Sequence, residues 1–245
     1  MKHIEAIGLY FIMLKEVFKK PTKWRIMKSL INKEIDDLIV GSLGMVLFIS
    51  FFIGAVVTIQ TALNLESPLI PKTMIGFAAR QSVILEFAPT FTSIIMAGKI
   101  GSYITSSIGS MRVTEQIDAL EVMGINALNY LIFPKIIALM MYPFLISIAM
   151  YIGIFGGWTA GVLGGLATSG DFIEGLRMDF NSFHVAYAFI KSMAFAFILA
   201  TVPSLHGFYM NGGALEVGKA STTSFVWTSV VIILTNYVLT QLILG

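Results

Sequence analysis

Three ionisable side chains, Glu86, Lys99 and Lys191, interrupt long apolar runs of this 245-residue chain. An ionised group at the centre of a bilayer costs a few kcal/mol by insertion scales, so each needs a partner, a watery cavity or a route to the surface. Glu86 stands three residues before Pro89. A proline lacks the N–H that would bond the carbonyl four residues back, so a freed carbonyl and a local kink are expected to open the helix beside the carboxylate. A carboxylate there can bond a neighbouring helix or face an amphiphile. Lys191 supplies the complementary cation, able either to pair with Glu86 or to hold a phosphate as a compact point charge. Lys99 has a stem long enough to snorkel along apolar surface to the interface, and that is its expected behaviour.

Other chemistries find little support. Gly213-Ala214-Leu215-Glu216-Val217-Gly218-Lys219-Ala220 nearly spells a phosphate-binding loop. Its eighth position is Ala220, where a magnesium site needs a hydroxyl, and no strand of an α/β domain precedes it. His3, His184 and His206 are scattered, with no spacing that sets two metal ligands on one helix face. Cysteine is absent, which removes disulfides, thiolate metal sites and cysteine nucleophiles together. No serine stands in a recognisable constellation with a histidine and an acid. The expectation is therefore no catalysis and no cofactor on this chain. A net charge of +2, spread unevenly along the chain, also argues against nucleic acid.

The elements that must position these residues follow from composition: 56% of the residues are hydrophobic and 12% charged, about half the charge of an average soluble domain. The bilayer must therefore serve as solvent. A span needs roughly 20 mainly apolar residues, and five runs qualify, at approximately 38–60, 82–108, 134–158, 184–209 and 222–243. Before them, Ile4, Ile7, Leu9, Phe11, Leu14, Val17 and Phe18 alternate with Lys15, Lys19 and Lys20 up to Pro21, the pattern of a helix lying in the interface. Lys23, Trp24, Arg25 and Lys28 follow as an interfacial anchor. Met1 to Lys20 lacks the features of a cleaved signal peptide. Eight lysines and arginines precede the first span, and Arg112 and Lys219 fall on the same side, with Lys99 and Lys135 near it. The opposite segments, 61–81, 159–183 and the C-terminus, hold Lys72, Arg80 and Arg177. The bias predicts a cytoplasmic N-terminus and an outward C-terminus. The chain ends two residues after the last run, so a separate polypeptide is expected to supply energy.

Two local patterns bear on packing. Ala97, Gly101, Thr105 and Gly109 recur every four residues, with Gly98 and Ser102 beside them, a small-residue face that lets helix backbones approach closely. Packing within the fold is its expected use. The glycine-dense stretch Gly153 to Gly170 reads either as a broken or re-entrant helix end or as close packing. Between spans two and three, Val113, Ile117, Leu120 and Met123 or Gly124 fall at helical spacing, away from Glu115, Asp118 and Glu121. A short amphipathic helix is predicted, with Thr114 capping its start and Gly124 ending it in a left-handed conformation. Tied to a span at each end, it would carry force into the membrane helices.

Three runs resemble the MlaE family of ABC-transporter permeases: Glu86-Phe87-Ala88-Pro89, Ala97-Gly98-Lys99-Ile100-Gly101-Ser102, and the whole of Gly109 to Gly124. The resemblance extends through Tyr130-Leu131, Pro134-Lys135, Gly153 to Gly165, Ile190-Lys191-Ser192 and Gly212-Gly213 to Thr222-Thr223. It implies an all-α integral membrane protein: an N-terminal interfacial helix (1–30), a transmembrane region (38–243) of five helices with a cytoplasmic coupling helix between spans two and three, all in one permease domain. It further implies a homodimer in a bacterial inner membrane. A cytoplasmic ABC ATPase that binds the ATP, a periplasmic MCE-domain protein and a small STAS-type regulatory subunit are the implied partners, and phospholipid is the cargo. By resemblance, Gln60, Leu65, Leu69, Glu86, Phe87 and Lys191 line the lipid site. Arg112, Thr114, Glu115, Gln116, Asp118 and Glu121 meet the ATPase. The family often carries a basic residue where this chain has Leu85, and Arg80, in the same outer segment, is the candidate replacement. The alternative from another class is an ion- or proton-coupled carrier or channel with Glu86 and Lys191 as relay; the sparseness of ionisable groups and the lack of an inverted repeat argue against it.

Overall fold

The computed structural model describes residues 3–19, 24–65, 67 and 69–244, and every regular element among them is helical. Lys20, Pro21 and Lys23 of the anchor region lie outside the described residues, as does the side chain of Ile4. In chain order the helices are α1 (His3–Val17), α2 (Trp24–Asn64), α3 (Thr73–Val113), α4 (Gln116–Val122), α5 (Ala127–Leu139), α6 (Tyr142–Leu163), α7 (Ser169–Arg177), α8 (Ser182–Phe208) and α9 (Ala214–Ile243). Five stretches, α2, α3, α5 with α6, α8 and α9, are long and apolar enough to cross a membrane. The chain is an all-α, multi-pass membrane protein.

At 1.5 Å per residue, the 41-residue helices α2 and α3 each run about 60 Å, twice the hydrocarbon thickness. Hydropathy located their apolar centres and missed their ends. Both also widen locally into π-helix, at Ile35–Val40 in α2 and at Val83–Phe91 and Ala97–Gly101 in α3. Such segments are rare and cluster at functional sites.

The chain divides into two compact units, the first made of Met1–Gly41, Ile94–Tyr142 and Ala194–Gln241. Its core is the buried stripe Ile100, Ile104 and Ile108 of α3 with Ile117, Leu139, Phe195 and Leu199. The small-residue face of α3 is consumed here. A Cβ on Gly101 would lie 3.3 Å from Pro203, and one on Gly109 would lie 3.0 Å from Met210 Sδ and 3.3 Å from Val217. Thr105 Oγ1 donates to the Pro203 carbonyl at 3.0 Å and lies 2.9 Å from Ser224 Oγ. The four-residue repeat thus packs α3 on α8 and α9, as expected.

Helix α1 is fastened to this unit by two asparagines. Asn129 Nδ2 donates to the carbonyls of Val17 (2.6 Å) and Lys19 (2.8 Å), and Asn126 Nδ2 donates to that of Glu16 (3.2 Å). These are acceptors that a helix C-terminus leaves unsatisfied. Asn126 also caps α5, accepting from the Asn129 N–H at 3.1 Å. Met13 and Val17 of α1 are fully buried, whereas Ile7, Phe11, Ile12 and Phe18 are exposed. Burial pushes the Tyr10 hydroxyl above its usual pKa, against a smaller opposing effect of its contact with Thr201 Oγ1 at 2.8 Å.

The second unit comprises Ser42–Ser93, Pro143–Met193 and Leu242–Gly245. Here the glycines of α6 allow backbone contact with α2: a Cβ on Gly54 would sit 1.8 Å from the Gly153 carbonyl oxygen, and one on Gly156 would sit 2.1 Å from that of Phe51. Helix α6 continues unbroken to Leu163, so the glycine density between 153 and 161 serves packing and not a re-entrant break. After it, Thr168 and Asp171 form a reciprocal capping box that starts α7. Helix α7 packs on the first turns of α3, where a Cβ on Gly76 would lie 2.4 Å from the Phe172 carbonyl oxygen. Residues 73–81 belong to the segment 61–81 expected outside the spans. Lys72 and Arg80 dilute their hydropathy, and burial of Ile75, Ala79 and Phe172 stabilises the helix instead.

Candidate functional site

In the wide segment of α3, the Leu85 carbonyl accepts from Lys191 Nζ of α8 at 3.0 Å, and the same ammonium sits 2.8 Å from Glu86 Oε1. Thr90, one turn on from Glu86, donates to its Oε2 at 3.1 Å. Tyr187, one turn before Lys191, places its ring centroid 5.1 Å from the ammonium, a cation–π distance. Lys191 is 0% exposed, whereas the Glu86 side chain is 37% exposed. A buried ammonium is tolerated when paired and hydrogen-bonded, and here Glu86 and the Leu85 carbonyl both serve it. The expected pairing of Lys191 with Glu86 is present. Phe87 stacks on Phe91 with centroids 4.8 Å apart. Chemically the arrangement is an oriented charge pair, its negative end toward the open side.

Arg80 does not stand in for the basic residue absent at Leu85. It is 3% exposed, its guanidinium donates to the carbonyls of Leu176 (2.6 Å) and Met178 (2.9 Å), and it lies against the rings of Phe77 and Phe180. An arginine near the last turn of α7 satisfies orphan carbonyls and complements the helix dipole. Its role is to hold α7 on α3.

The remaining expected lining residues are spread over the same unit. Leu65 packs at the edge of the Ala62, Ile75 and Phe172 cluster and lines a cleft of about 550 Å³, with Ile70, Lys72 and Leu166 on its walls. Leu69 beside it is 92% exposed, and Gln60 is exposed on α2. The structure therefore joins Glu86 directly to Lys191 and sets Leu65 at a separate cleft.

In the first unit, α3 ends at Val113 and Thr114 closes it, donating from Oγ1 to the Ser110 carbonyl at 2.8 Å. Thr114 thus terminates the preceding helix and does not cap α4. The chain turns at Glu115, which takes a left-handed conformation (φ 59°). Gly124 (φ 73°) ends α4 as expected: its N–H bonds the Glu121 carbonyl (2.9 Å), and the Ile125 N–H bonds that of Leu120 (3.0 Å). Arg112 reaches across the turn to Asp118 at 2.8 Å, and Gln116 donates to Thr114 at 3.0 Å. Ile117 is fully buried, while Glu115, Gln116, Asp118 and Glu121 are exposed beside Val122 (89%) and Met123 (64%). An acidic, partly apolar patch results, carried on a helix that the turn at Gly124 joins directly to α5, which Asn126 caps.

One cluster in this unit escaped sequence reasoning. Lys135 of α5 is 3% exposed and pairs with Glu34 of α2, 6.0 Å from the Tyr103 ring centroid; the Tyr103 hydroxyl donates to Asp37 at 3.1 Å. Lys99 bonds the Gly41 carbonyl at an exposed position. The available signal was Lys135 itself, a cation among apolar neighbours with no acid nearby in sequence to match it.

Comparison with known proteins is extensive. The family model described as "Permease MlaE" matches residues 31–242. A probable ABC transporter permease protein of Rickettsia bellii is 33% identical over 215 residues, covering 87% of this chain and 83% of that protein. One from Pyropia yezoensis is 34% identical over 207 residues, 81% and 76% of the two chains. The intermembrane phospholipid transport system permease protein MlaE of Haemophilus influenzae is 29% identical over 218 residues, 88% and 83% of the two.

Proposed function

The chain belongs to the MlaE permease family, and on that premise we propose that it is the membrane subunit of an ATP-driven transporter carrying phospholipid between the inner and outer membranes of a bacterium. The observation that carries this reading is the match to "Permease MlaE" over residues 31–242. The Haemophilus relative's name supplies the cargo class.

Within this reading, two copies, each with five spans and with α1 lying in the cytoplasmic interface, face one another. The exposed apolar side of α1, carrying Ile7, Phe11 and Ile12, suits that position. The N-terminus is cytoplasmic and the C-terminus periplasmic. An ABC ATPase docks on the patch of Arg112, Thr114, Glu115, Gln116, Asp118 and Glu121, and an MCE-domain protein meets the opposite side, with a STAS-type subunit as regulator. Closure of the ATPase pushes α4, and the Schellman turn and Asn126 pass the displacement to α5 without a flexible joint. Lipid is met by Glu86, Phe87 and Lys191, and Gln60, Leu65 and Leu69 receive it at the separate cleft. A half-exposed carboxylate on a membrane helix supports this placement, because it suits a headgroup or water and not hydrocarbon.

The test is charge reversal on α4. Glu115→Lys with Asp118→Lys is expected to abolish co-purification of the ATPase while the permease elutes as the wild type does. Undiminished association would refute the docking assignment.

A further inference from the structure

Resting on the lipid reading of the cleft beside Leu65, we propose that Lys72 selects what enters it. Its ammonium holds a headgroup phosphate at the mouth while the apolar walls take the adjoining chain, so the cleft prefers a phospholipid to an uncharged lipid such as diacylglycerol.

The walls argue for the chain. Ala62, Leu65, Ile70, Ile75 and Leu166 border a space of about 550 Å³, within the roughly 300–1,000 Å³ of small-molecule sites. Ala62 and Ile75 are buried in the cluster around Phe172, whereas Leu63, which also lines the cleft, is 59% exposed. An apolar recess open on one side gains by covering hydrocarbon in place of water.

The polar groups argue for the phosphate. Among the described residues two polar side chains line the cleft, Ser67 and Lys72. Ser67 Oγ accepts from the Leu69 N–H at 3.5 Å and keeps its own hydrogen to donate. Lys72 is exposed and, among the described residues, has no carboxylate within ion-pair distance. An ammonium offers three donors and no acceptor, and it binds phosphate as a point charge. Both of its neighbours in the first turn of α3 are committed: the N–H groups of Met74 and Ile75 bond the carbonyls of Pro71 (3.0 Å) and Lys72 (3.2 Å). The other described cations of the second unit are placed elsewhere. Arg80 is spent on the Leu176 and Met178 carbonyls, Lys191 on Leu85 and Glu86, and Arg177 stands in the last turn of α7, off the cleft wall. Lys72 precedes Glu86 by fourteen residues, about 20 Å along α3, so a lipid held here occupies a station distinct from the Glu86–Lys191 pair.

The experiment titrates the full-length chain, purified in mild detergent, with lipids brominated on the chain, which quench a nearby tryptophan. Trp158 packs on the same cluster as Leu65 and Leu166 and is the reporter in a background of Trp24→Phe with Trp227→Phe. Brominated phosphatidylglycerol is expected to quench it saturably, with a midpoint about tenfold below that of brominated diacylglycerol, the factor one charge-assisted bond gives. Lys72→Gln is expected to abolish that advantage and Lys72→Arg to keep it. Inorganic phosphate, a charge without a chain, is expected to leave the lipid in place. Saturable quenching whose midpoint Lys72→Gln does not move overturns the role of Lys72 and leaves the lipid reading of the cleft standing. Displacement by inorganic phosphate at the lipid's own concentration refutes the need for a chain, and with it the proposal. No saturable quenching by either lipid overturns the proposal and the lipid reading of the cleft together. Where the tryptophan background does not elute as the wild type does, the same comparison of Lys72 with Lys72→Gln in the chain carrying all three tryptophans decides.

Discussion

Replacing Lys135 by leucine removes one partner of a pair held almost out of solvent. Lys135 is 3% exposed and the Glu34 side chain 17%. Glu34 Oε2 is already buried without a hydrogen-bond partner among the described residues, so Lys135 is the main compensation for that carboxylate. Breaking a buried pair from one side costs about 3 kcal/mol or somewhat more, because the surviving charge is stranded. Spread over a chain of this size, that lowers a melting midpoint by roughly 6–12 °C. The double variant Glu34→Leu with Lys135→Leu should lie within about 1 kcal/mol of the wild type, since an apolar pair needs neither desolvation nor matching. The assay is thermal melting of the detergent-solubilised protein followed by fluorescence-detected size exclusion. Two results would refute the reasoning: Lys135→Leu melting with the wild type, which makes the pair solvated in practice, or a double variant no better than the single one.

Alanine at Gly54 or Gly156 drives a methyl group into a carbonyl 1.8 or 2.1 Å away and should destabilise by about 3 kcal/mol, whereas Gly44→Ala, with open space around it, should gain up to about 1 kcal/mol from helix propensity; equal melting of the three would count against the contact. Arg80→Leu strips two carbonyls of their donor and should release α7, read as new proteolytic cleavage between residues 164 and 181, and an unchanged digest would contradict the clamp. Asn129→Ala should loosen α1 by about 1 kcal/mol per lost bond, seen as faster amide exchange confined to residues 3–19, and exchange matching the wild type would show the asparagine idle.

Much of the fold was legible because lipid imposes a blunt criterion. Twenty apolar residues in a row have few alternatives, and the five predicted centres all fall inside long helices. The same criterion is silent where a helix leaves hydrocarbon. Residues 73–82 and α7 are helical because Gly76 and Gly175 let two short helices touch, a contact between segments a hundred residues apart that no local window contains. At the site, Glu86, Pro89 and Lys191 were each visible by type, and their pairing followed from opposite charge. What sequence left open was the bond from Lys191 to the Leu85 carbonyl, because a backbone acceptor leaves no mark in residue type. Arg80 misled for a related reason: an arginine's surroundings depend on which helix end comes to meet it. The Glu34–Lys135 pair went unseen since its members are 101 positions apart and each flanks an apolar run, where a charge draws no notice.

The wide segment Val83–Phe91 bears on how this chain can be compared with its relatives. A π turn holds more residues than the α turn it replaces, so it takes up extra residues without shifting the helical faces before and after it. Removing one residue there and letting the turn close to α geometry would preserve both faces. Removing one from a regular part of α3 would rotate everything beyond it by about 100° and carry Gly101, Thr105 and Gly109 off their partners. Length differences of a single residue between family members should therefore gather in this stretch, next to the carboxylate, and an alignment that spreads them elsewhere along α3 will pair the wrong residues.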